Sequence, residues 1–133
     1  MTQQTERTGE LSLQVVDVYP LTPVQEGILF HVLYAPGAET YLNQYVFALR
    51  GSVDAEALRA AWQQVLDHHA VLRTGFVWEG LPRPLQVVRG GAVLPWEALD
   101  WRGEPREAQR ERLEAYLEAE RGRGFDPARP PLM

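Results

Sequence analysis

The sequence predicts a mixed α/β fold, and two features of the 133 residues point to it. Segments with helical periodicity alternate with extended segments in the order helix, strand, helix, hairpin, helix. A hydrophobic content of 45% and a charged content of 23% lie in the range of globular proteins. Because strands and helices are interleaved in this order, an α+β or mixed α/β fold is favoured.

The first predicted helix follows Thr22, which forms a T-x-x-Q capping box with Gln25. A Pro-Gly pair at positions 36–37 is expected to end it. Gly27 lies inside the helix at a cost of about 1 kcal/mol relative to alanine. We interpret this glycine as a point of close helix packing, in preference to a point of ligand approach.

The segment TYLNQYVFALRG (40–51) is rich in aromatic and aliphatic residues and predicts a strand that is apolar on both faces. A second helix is expected to begin after Asp54, a good N-cap residue. An apolar stripe along this helix is predicted to lie in the core, and its members are Leu58, Ala61, Trp62, Val65 and Leu66.

A hairpin and a third helix complete the predicted order. VLRTGFVWEG (71–80) and PLQVVRGG (84–91) predict two antiparallel strands joined by a Gly/Pro turn. VLPWEALDW (93–101) predicts a further short edge strand. Residues 104–121 predict a charged helix, and its narrow apolar stripe consists of Leu113, Tyr116 and Leu117.

The composition excludes several classes of function. The net charge is −5 and all thirteen basic residues are arginine, so the chain lacks the basic cluster that nucleic-acid binding requires. The absence of cysteine excludes disulfides, thiolate metal sites and cysteine nucleophiles. The polar start MTQQTERTGE is not a signal peptide, and no apolar run approaches the length of a bilayer. A soluble, cytoplasmic protein is expected.

The pair His68–His69 is the most conspicuous candidate for chemistry, and we expect it to lie at the end of the second helix. A metal site is disfavoured because adjacent histidines diverge on a helix and His31, the remaining histidine, lies on another element. Ser12 and Ser52 are the only serines, and neither lies in a nucleophile elbow.

Four stretches of the sequence together resemble the motifs of one known family. YPLTPVQEGILFH (19–31) is similar to the first motif of the condensation domains of nonribosomal peptide synthetases. Residues 41–80 contain DHHAVLRTGF, which resembles the second motif, R-H-x-x-L-R-T-x-F. PLQVV (84–88) and GFDPARPPLM (124–133) follow in the same order, and the latter is similar to the run that precedes the catalytic region of the family.

The resemblance implies the N-terminal lobe of a chloramphenicol-acetyltransferase-like fold, incomplete in this chain. Residues 15–133 are expected to form that part, and residues 1–14 a flexible leader that is a candidate docking segment for an upstream subunit. The catalytic motif of the family, H-H-x-x-x-D-G, does not occur in the sequence. We therefore expect no catalytic residue in this chain and no activity of the chain by itself.

The complete domain is expected, from the resemblance, to form peptide bonds between thioesters carried on two carrier proteins. Its partners are then the peptidyl and aminoacyl carrier proteins, an upstream synthetase subunit and the rest of its own domain. No cofactor is expected to bind directly, because the phosphopantetheine arms belong to the carriers. No metal, nucleic acid or membrane is expected as a partner.

Arg73 matches the second arginine of the family's second motif and is expected to brace the aspartate of the catalytic loop. A role limited to tethering strand to helix is the alternative. His68 stands where the family has a leading arginine, which puts a salt bridge from that position in doubt. The other matched motif positions are expected to be structural, and they are Gln25, Gly27, His69, Thr74 and Phe76.

Two other functions and two further expectations accompany this interpretation. The chain could be a non-catalytic module that binds a carrier protein or an upstream subunit, or part of another acyltransferase of the same fold that uses coenzyme A or a free alcohol. The form LTPVQEGILFH resembles domains that accept a donor ending in a D-residue or that begin a synthetase polypeptide. An uncovered sheet edge predicts that the chain self-associates.

Overall fold

The computed structural model describes residues 14–34 and 41–133. Its helices are α1 (Pro23–Tyr34), α2 (Ala55–His68) and α3 (Arg106–Arg123), with a short 3₁₀ helix at Ala70–Arg73. Its strands are β1 (Val15–Pro20), β2 (Thr74–Val77) and β3 (Leu85–Arg89). Residues 1–13 of the predicted leader and the Pro-Gly pair at 36–37 lie outside the described residues. None of the described helices combines the length and the hydropathy needed to cross a membrane.

The three strands form one antiparallel sheet in the order β1-β3-β2. The predicted hairpin is confirmed, because β2 and β3 pair from Thr74–Val88 to Val77–Leu85. β1 was not predicted, and it pairs with the other edge of β3. Its sequence, VVDVYP, lacks strict alternation and all six residues are exposed, so the pairing depends on a partner distant in the chain rather than on a local pattern.

The helix starts agree with the predicted caps. Thr22 and Gln25 form the capping box, since the Gln25 main-chain N–H donates to Thr22 Oγ1 at 3.3 Å and the Thr22 N–H donates to Gln25 Oε1 at 2.8 Å. Asp54 accepts hydrogen bonds from the main-chain N–H groups of Glu56 and Ala57, both at 3.0 Å. Short-range side-chain chemistry therefore places the starts of α1 and α2.

The strand predicted at 40–51 is wrong for the described residues, because none of positions 41–50 has strand structure. Tyr45 and Phe47 are 75% and 79% exposed and stack on each other, with ring centroids 6.3 Å apart. A strand exists only where a neighbouring strand shares its hydrogen bonds, and this apolar segment has no such neighbour among the described strands.

The apolar stripe of α2 is core only at Leu66, which is fully buried. Trp62 and Val65 remain exposed, so the prediction of a wholly buried stripe is wrong. The periodicity correctly predicted an amphipathic helix, but burial also requires an element to cover that face. In the described part of the chain, Leu66 packs with Leu72 and with two residues of the loop after β3, Ala92 and Leu94.

The loop after β3 is held over α2 by the side chain of Gln63. Its amide donates to the carbonyl of Ala92 at 3.0 Å and accepts from the N–H of Leu94 at 2.8 Å. The edge strand predicted at 93–101 is therefore wrong, since the main chain here bonds to a side chain rather than to a strand. Gln63 therefore holds Ala92 and Leu94 in the position where they pack on Leu66.

α3 runs two residues later than the predicted 104–121, with its charged residues largely in solvent. Arg110 Nε lies 3.9 Å from Glu114 Oε1, an i,i+4 ion pair on the helix surface. Tyr116 and Leu117 are half-buried, whereas Leu113 is exposed. The side chain of Gln44 donates to the carbonyl of Leu117 at 3.1 Å, which ties the segment before α2 to this helix.

Candidate functional site

All four of the motif stretches meet at one small cleft of about 130 Å³. α1 contributes Gln25, and the end of the chain contributes Leu132 and Met133. The remaining wall residues come from the 3₁₀ helix and the sheet, and they are Val71, Leu72, Thr74, Phe76 and Gln86. Positions separated by about a hundred residues are therefore brought together here, which makes the cleft the candidate functional site.

The chain end reaches the cleft because it runs along the free edge of β2. The main-chain N–H of Phe76 donates to the carbonyl of Pro127 at 2.8 Å. Gly75 permits the close approach, since a Cβ at this position would lie 2.7 Å from Pro130 Cδ and 3.0 Å from the Ala128 carbonyl oxygen. The edge of β2 is thereby covered, and residues 132–133 follow into the cleft wall.

The second-motif residues form a compact turn beside the cleft. Thr74 is buried, and its hydroxyl donates to the carbonyl of Ala70 at 2.9 Å, which closes the 3₁₀ turn. Phe76 lies opposite Gln86 in the β2–β3 register. The structural roles expected for Thr74 and Phe76 stay predictions.

Arg73 is half-buried and binds three main-chain carbonyls. Its Nε donates to Leu66 at 3.0 Å, its Nη2 to Asp67 at 3.1 Å and its Nη1 to Arg89 at 2.8 Å. Carbonyls in the last turn of a helix lack intrahelical donors, so the guanidinium caps the end of α2 and joins it to the end of β3. This is the tethering geometry; the bracing of a catalytic-loop aspartate stays a prediction.

His68 and His69 lie at the end of α2, as the sequence predicted, and both are exposed. Their ring centroids are 4.9 Å apart and the ring planes are nearly perpendicular, at 85°. Within 14–34 and 41–133, no group of three or more histidine, aspartate or glutamate side chains could hold a metal ion. Neither histidine lines the cleft.

The side chains with shifted pKa values lie away from the cleft. A hydrogen bond from the Tyr19 hydroxyl holds the pKa of Asp17 below its usual value. Hydrogen bonds from the side chain and the main chain of Arg102 lower the pKa of Asp100 to about 2. Burial, together with a hydrogen bond to Glu97, raises the pKa of Tyr116. The cleft walls are instead formed by apolar side chains, the Thr74 hydroxyl and two amides.

Gly27 does not serve as a packing point in the described structure. No atom lies within 4 Å of the position that a Cβ would occupy, and the residue is exposed on α1. The interpretation of close helix packing is therefore wrong for the residues described. The glycine has no compensating contact here for its poor helix propensity.

Gly27→Ala is accordingly expected to stabilise the chain by about 0.5–1 kcal/mol, because alanine lowers the entropy of the unfolded chain and favours the helix. Urea denaturation followed by circular dichroism measures the change. Gly51→Ala is the contrasting control, since Gly51 has a φ of +100° that an alanine adopts only with strain. A destabilising Gly27→Ala would show that this glycine is covered by another element.

Sequence reasoning missed two glutamines that organise the structure. The Gln86 side chain lines the cleft, and Gln63 holds the loop after β3 over α2. Gln86 lies within PLQVV, a stretch that the resemblance included without giving any residue a role. For Gln86 the available signal was a single polar residue in an apolar segment, since a half-buried amide requires partners.

The described residues form a small mixed α/β fold that is consistent with an incomplete chloramphenicol-acetyltransferase-like fold. The structure described as "The crystal structure of holo T3CT" superposes with a TM-score of 0.54 at 20% identity, over 90% of this chain and 25% of that one. The fold class predicted from the sequence is thus confirmed, and this chain spans about a quarter of the solved structure.

The chain belongs to the condensation-domain family, whose profile matches residues 15–133. It is 49% identical over 119 residues to one of the linear gramicidin synthase proteins of Brevibacillus parabrevis, and 30% identical over 122 residues to bacitracin synthase 1 of Bacillus licheniformis. These matches cover 90% and 92% of this chain, but only 2% of each relative. The family predicted from the motifs is confirmed.

Proposed function

We propose that this chain is the N-terminal part of a condensation domain of a nonribosomal peptide synthetase. The observation that carries the proposal is the family match across residues 15–133. The meeting of the motif residues Gln25, Thr74 and Phe76 in one cleft supports it, because positions that serve one site should converge in space. The gramicidin and bacitracin relatives are synthases by their descriptions, which supports the same class of reaction.

In the complete domain the reaction is acyl transfer to an amine. The amine nitrogen of an aminoacyl thioester on the downstream carrier attacks the thioester carbonyl carbon of the upstream peptidyl or aminoacyl group. A C–N bond forms, the C–S bond breaks, and the proton lost by the amine balances the thiol released on the upstream arm. Both arms are phosphopantetheine groups of carrier proteins, which are the proposed partners, so the domain itself needs no resident cofactor.

The 133-residue sequence contains no H-H-x-x-x-D-G segment, the motif whose second histidine orients or deprotonates the amine in this family. His68–His69 does not replace it, because Arg73 follows the intervening Ala-Val-Leu and no Asp-Gly pair occurs there. We therefore assign no catalytic residue to this chain and propose that it is inactive alone.

The test compares this chain with a complete condensation domain that carries its sequence. Both are supplied with an upstream carrier loaded with an aminoacyl thioester and a downstream carrier loaded with a second one. Intact-protein mass spectrometry then measures dipeptide on the downstream carrier. We expect product from the complete domain only. A matched complete domain, in which the second histidine of the H-H-x-x-x-D-G motif is replaced by alanine, should form none. Product formed by the 133-residue chain would refute the assignment of catalysis to the absent motif.

A second candidate function is a non-catalytic module that binds a carrier protein or an upstream synthetase subunit. The exposed aromatic segment around Tyr45 and Phe47 favours it, since exposed apolar patches commonly mark interaction surfaces. The same carriers distinguish the two functions when binding is measured by isothermal calorimetry. Binding to the chain, with no turnover by the complete domain, would support the module and contradict the condensation assignment.

A further inference from the structure

We propose that Gln25 and Gln86 form a positioning pair that holds the start of α1 against the sheet and sets the polar wall of the cleft. The two side-chain amides face each other reciprocally: Gln25 Nε2 lies 3.2 Å from Gln86 Oε1, and Gln86 Nε2 lies 3.4 Å from Gln25 Oε1. The residues are 61 positions apart, so the contact is purely tertiary. The expected effect on turnover rests on the proposed condensation function.

Gln86 is placed to join three elements at once. It lies on β3, the central strand, opposite Tyr19 in β1 and Phe76 in β2. Besides facing Gln25, its Nε2 donates to the carbonyl of Pro20, the last residue of β1, at 2.9 Å. The Gln86 side chain thus contacts the last residue of β1, Pro20, and the first turn of α1, at Gln25.

Gln25 has two separable roles. Its Oε1 accepts the Thr22 N–H at 2.8 Å and thereby caps α1, a role that glutamate fulfils equally well in a capping box. Its Nε2 donates to Gln86, a role that glutamate cannot fulfil because an ionised carboxylate has no N–H. Gln25→Glu therefore keeps the cap and an acceptor for Gln86 Nε2, and removes the donor half of the reciprocal pair.

The pair matters to the cleft because both amides line it. The other lining residues come from the 3₁₀ helix, β2 and the end of the chain. If the pair is broken, the start of α1 is free to shift relative to Phe76 and Leu132. Catalysis tolerates such shifts poorly, since a displacement of about 1 Å costs up to about a hundredfold in rate.

The test uses a complete condensation domain that carries this sequence, with the two loaded carriers. We expect Gln25→Glu to lower kcat about tenfold through misplacement of the cleft wall. Adding Gln86→Lys should restore at least half of the lost turnover, because the ammonium can donate to the new carboxylate and to the Pro20 carbonyl together. Gln86→Met, which adds no charge, should lower kcat at least as much as Gln25→Glu does, because it removes both contacts of the pair and the bond to the Pro20 carbonyl.

Gln64→Glu is the matched control, because it makes the same change at an exposed position of α2 and should leave kcat and melting temperature unchanged. Melting temperatures of all variants show whether the domain remains folded. Wild-type turnover from Gln25→Glu and Gln86→Met would overturn the positioning pair, as would a loss in Gln25→Glu that Gln86→Lys fails to repair. An inactive parent domain would instead contradict the proposed function.

Discussion

Arg73→Ala is expected to lower the free energy of unfolding of this chain by about 2–4 kcal/mol, a large effect for a single polar substitution. The substitution removes a charged donor from the carbonyls of Leu66, Asp67 and Arg89 together. These groups belong to the end of α2 and the end of β3, so the loss separates two elements rather than one turn. Chemical denaturation with circular dichroism measures the change.

Two matched variants test whether the stability depends on the contacts of the guanidinium with the three carbonyls. Arg73→Lys should recover only a small part of the loss, because a single ammonium cannot span three carbonyls as the planar guanidinium does. Arg59→Ala removes an exposed arginine of α2, paired with Glu56 at 3.2 Å, and should change stability by less than about 1 kcal/mol. If Arg73→Ala and Arg59→Ala lowered the free energy of unfolding equally, Arg73 would not be the residue that joins the end of α2 to the end of β3.

The same arginine tests the family-derived role. If Arg73 also braces the aspartate of the catalytic loop, Arg73→Ala in a complete domain should slow condensation as well as lower the melting temperature. Tethering alone predicts lower stability, with the turnover of the folded fraction preserved. Unchanged melting temperature together with unchanged turnover would refute both roles.

Leu66→Ala is expected to cost about 2–5 kcal/mol, the range for large-to-small changes at fully buried positions. Leu66 has no exposed surface and packs with Ala92, Leu94 and Leu72. Its loss leaves a cavity where α2, the 3₁₀ helix and the loop after β3 meet, and small domains have little stability to lose. Thermal unfolding followed by circular dichroism should show a lower or absent transition.

Val65→Ala is the control for Leu66→Ala, since Val65 is the neighbouring residue of α2 and is exposed. Its substitution should cost less than about 1 kcal/mol. If the two variants proved equally destabilised, the face of α2 that bears Val65 would be covered, and Leu66 would not be the main core contact of this helix. The comparison therefore tests which face of α2 forms the core.

Local chemistry in the sequence predicted the helix starts and the hairpin well. Thr22, Gln25 and Asp54 cap helices through contacts within three residues, and a Gly/Pro turn joins β2 to β3. The motifs also predicted the family correctly, because short signatures in a fixed order carry information that composition does not. Each of these features depends on residues close together in the chain.

Burial and strand pairing could not be predicted in the same way. Trp62 and Tyr45 have the hydropathy of core residues but lie in solvent, since burial depends on a covering element. β1 was not predicted as a strand but pairs with β3. The segment 41–50 was predicted as a strand but has no partner among the described strands.

By itself the sequence determined the fold class, the caps of α1 and α2, the β2–β3 hairpin and membership of the condensation-domain family. Only the tertiary structure decided that Gln25 faces Gln86, that Arg73 clamps three carbonyls, and that residues 132–133 reach the motif cleft. The physical reason is the range of the contacts. Caps and turns are satisfied within a few residues, whereas cleft walls and amide pairs exist only after distant segments have packed together.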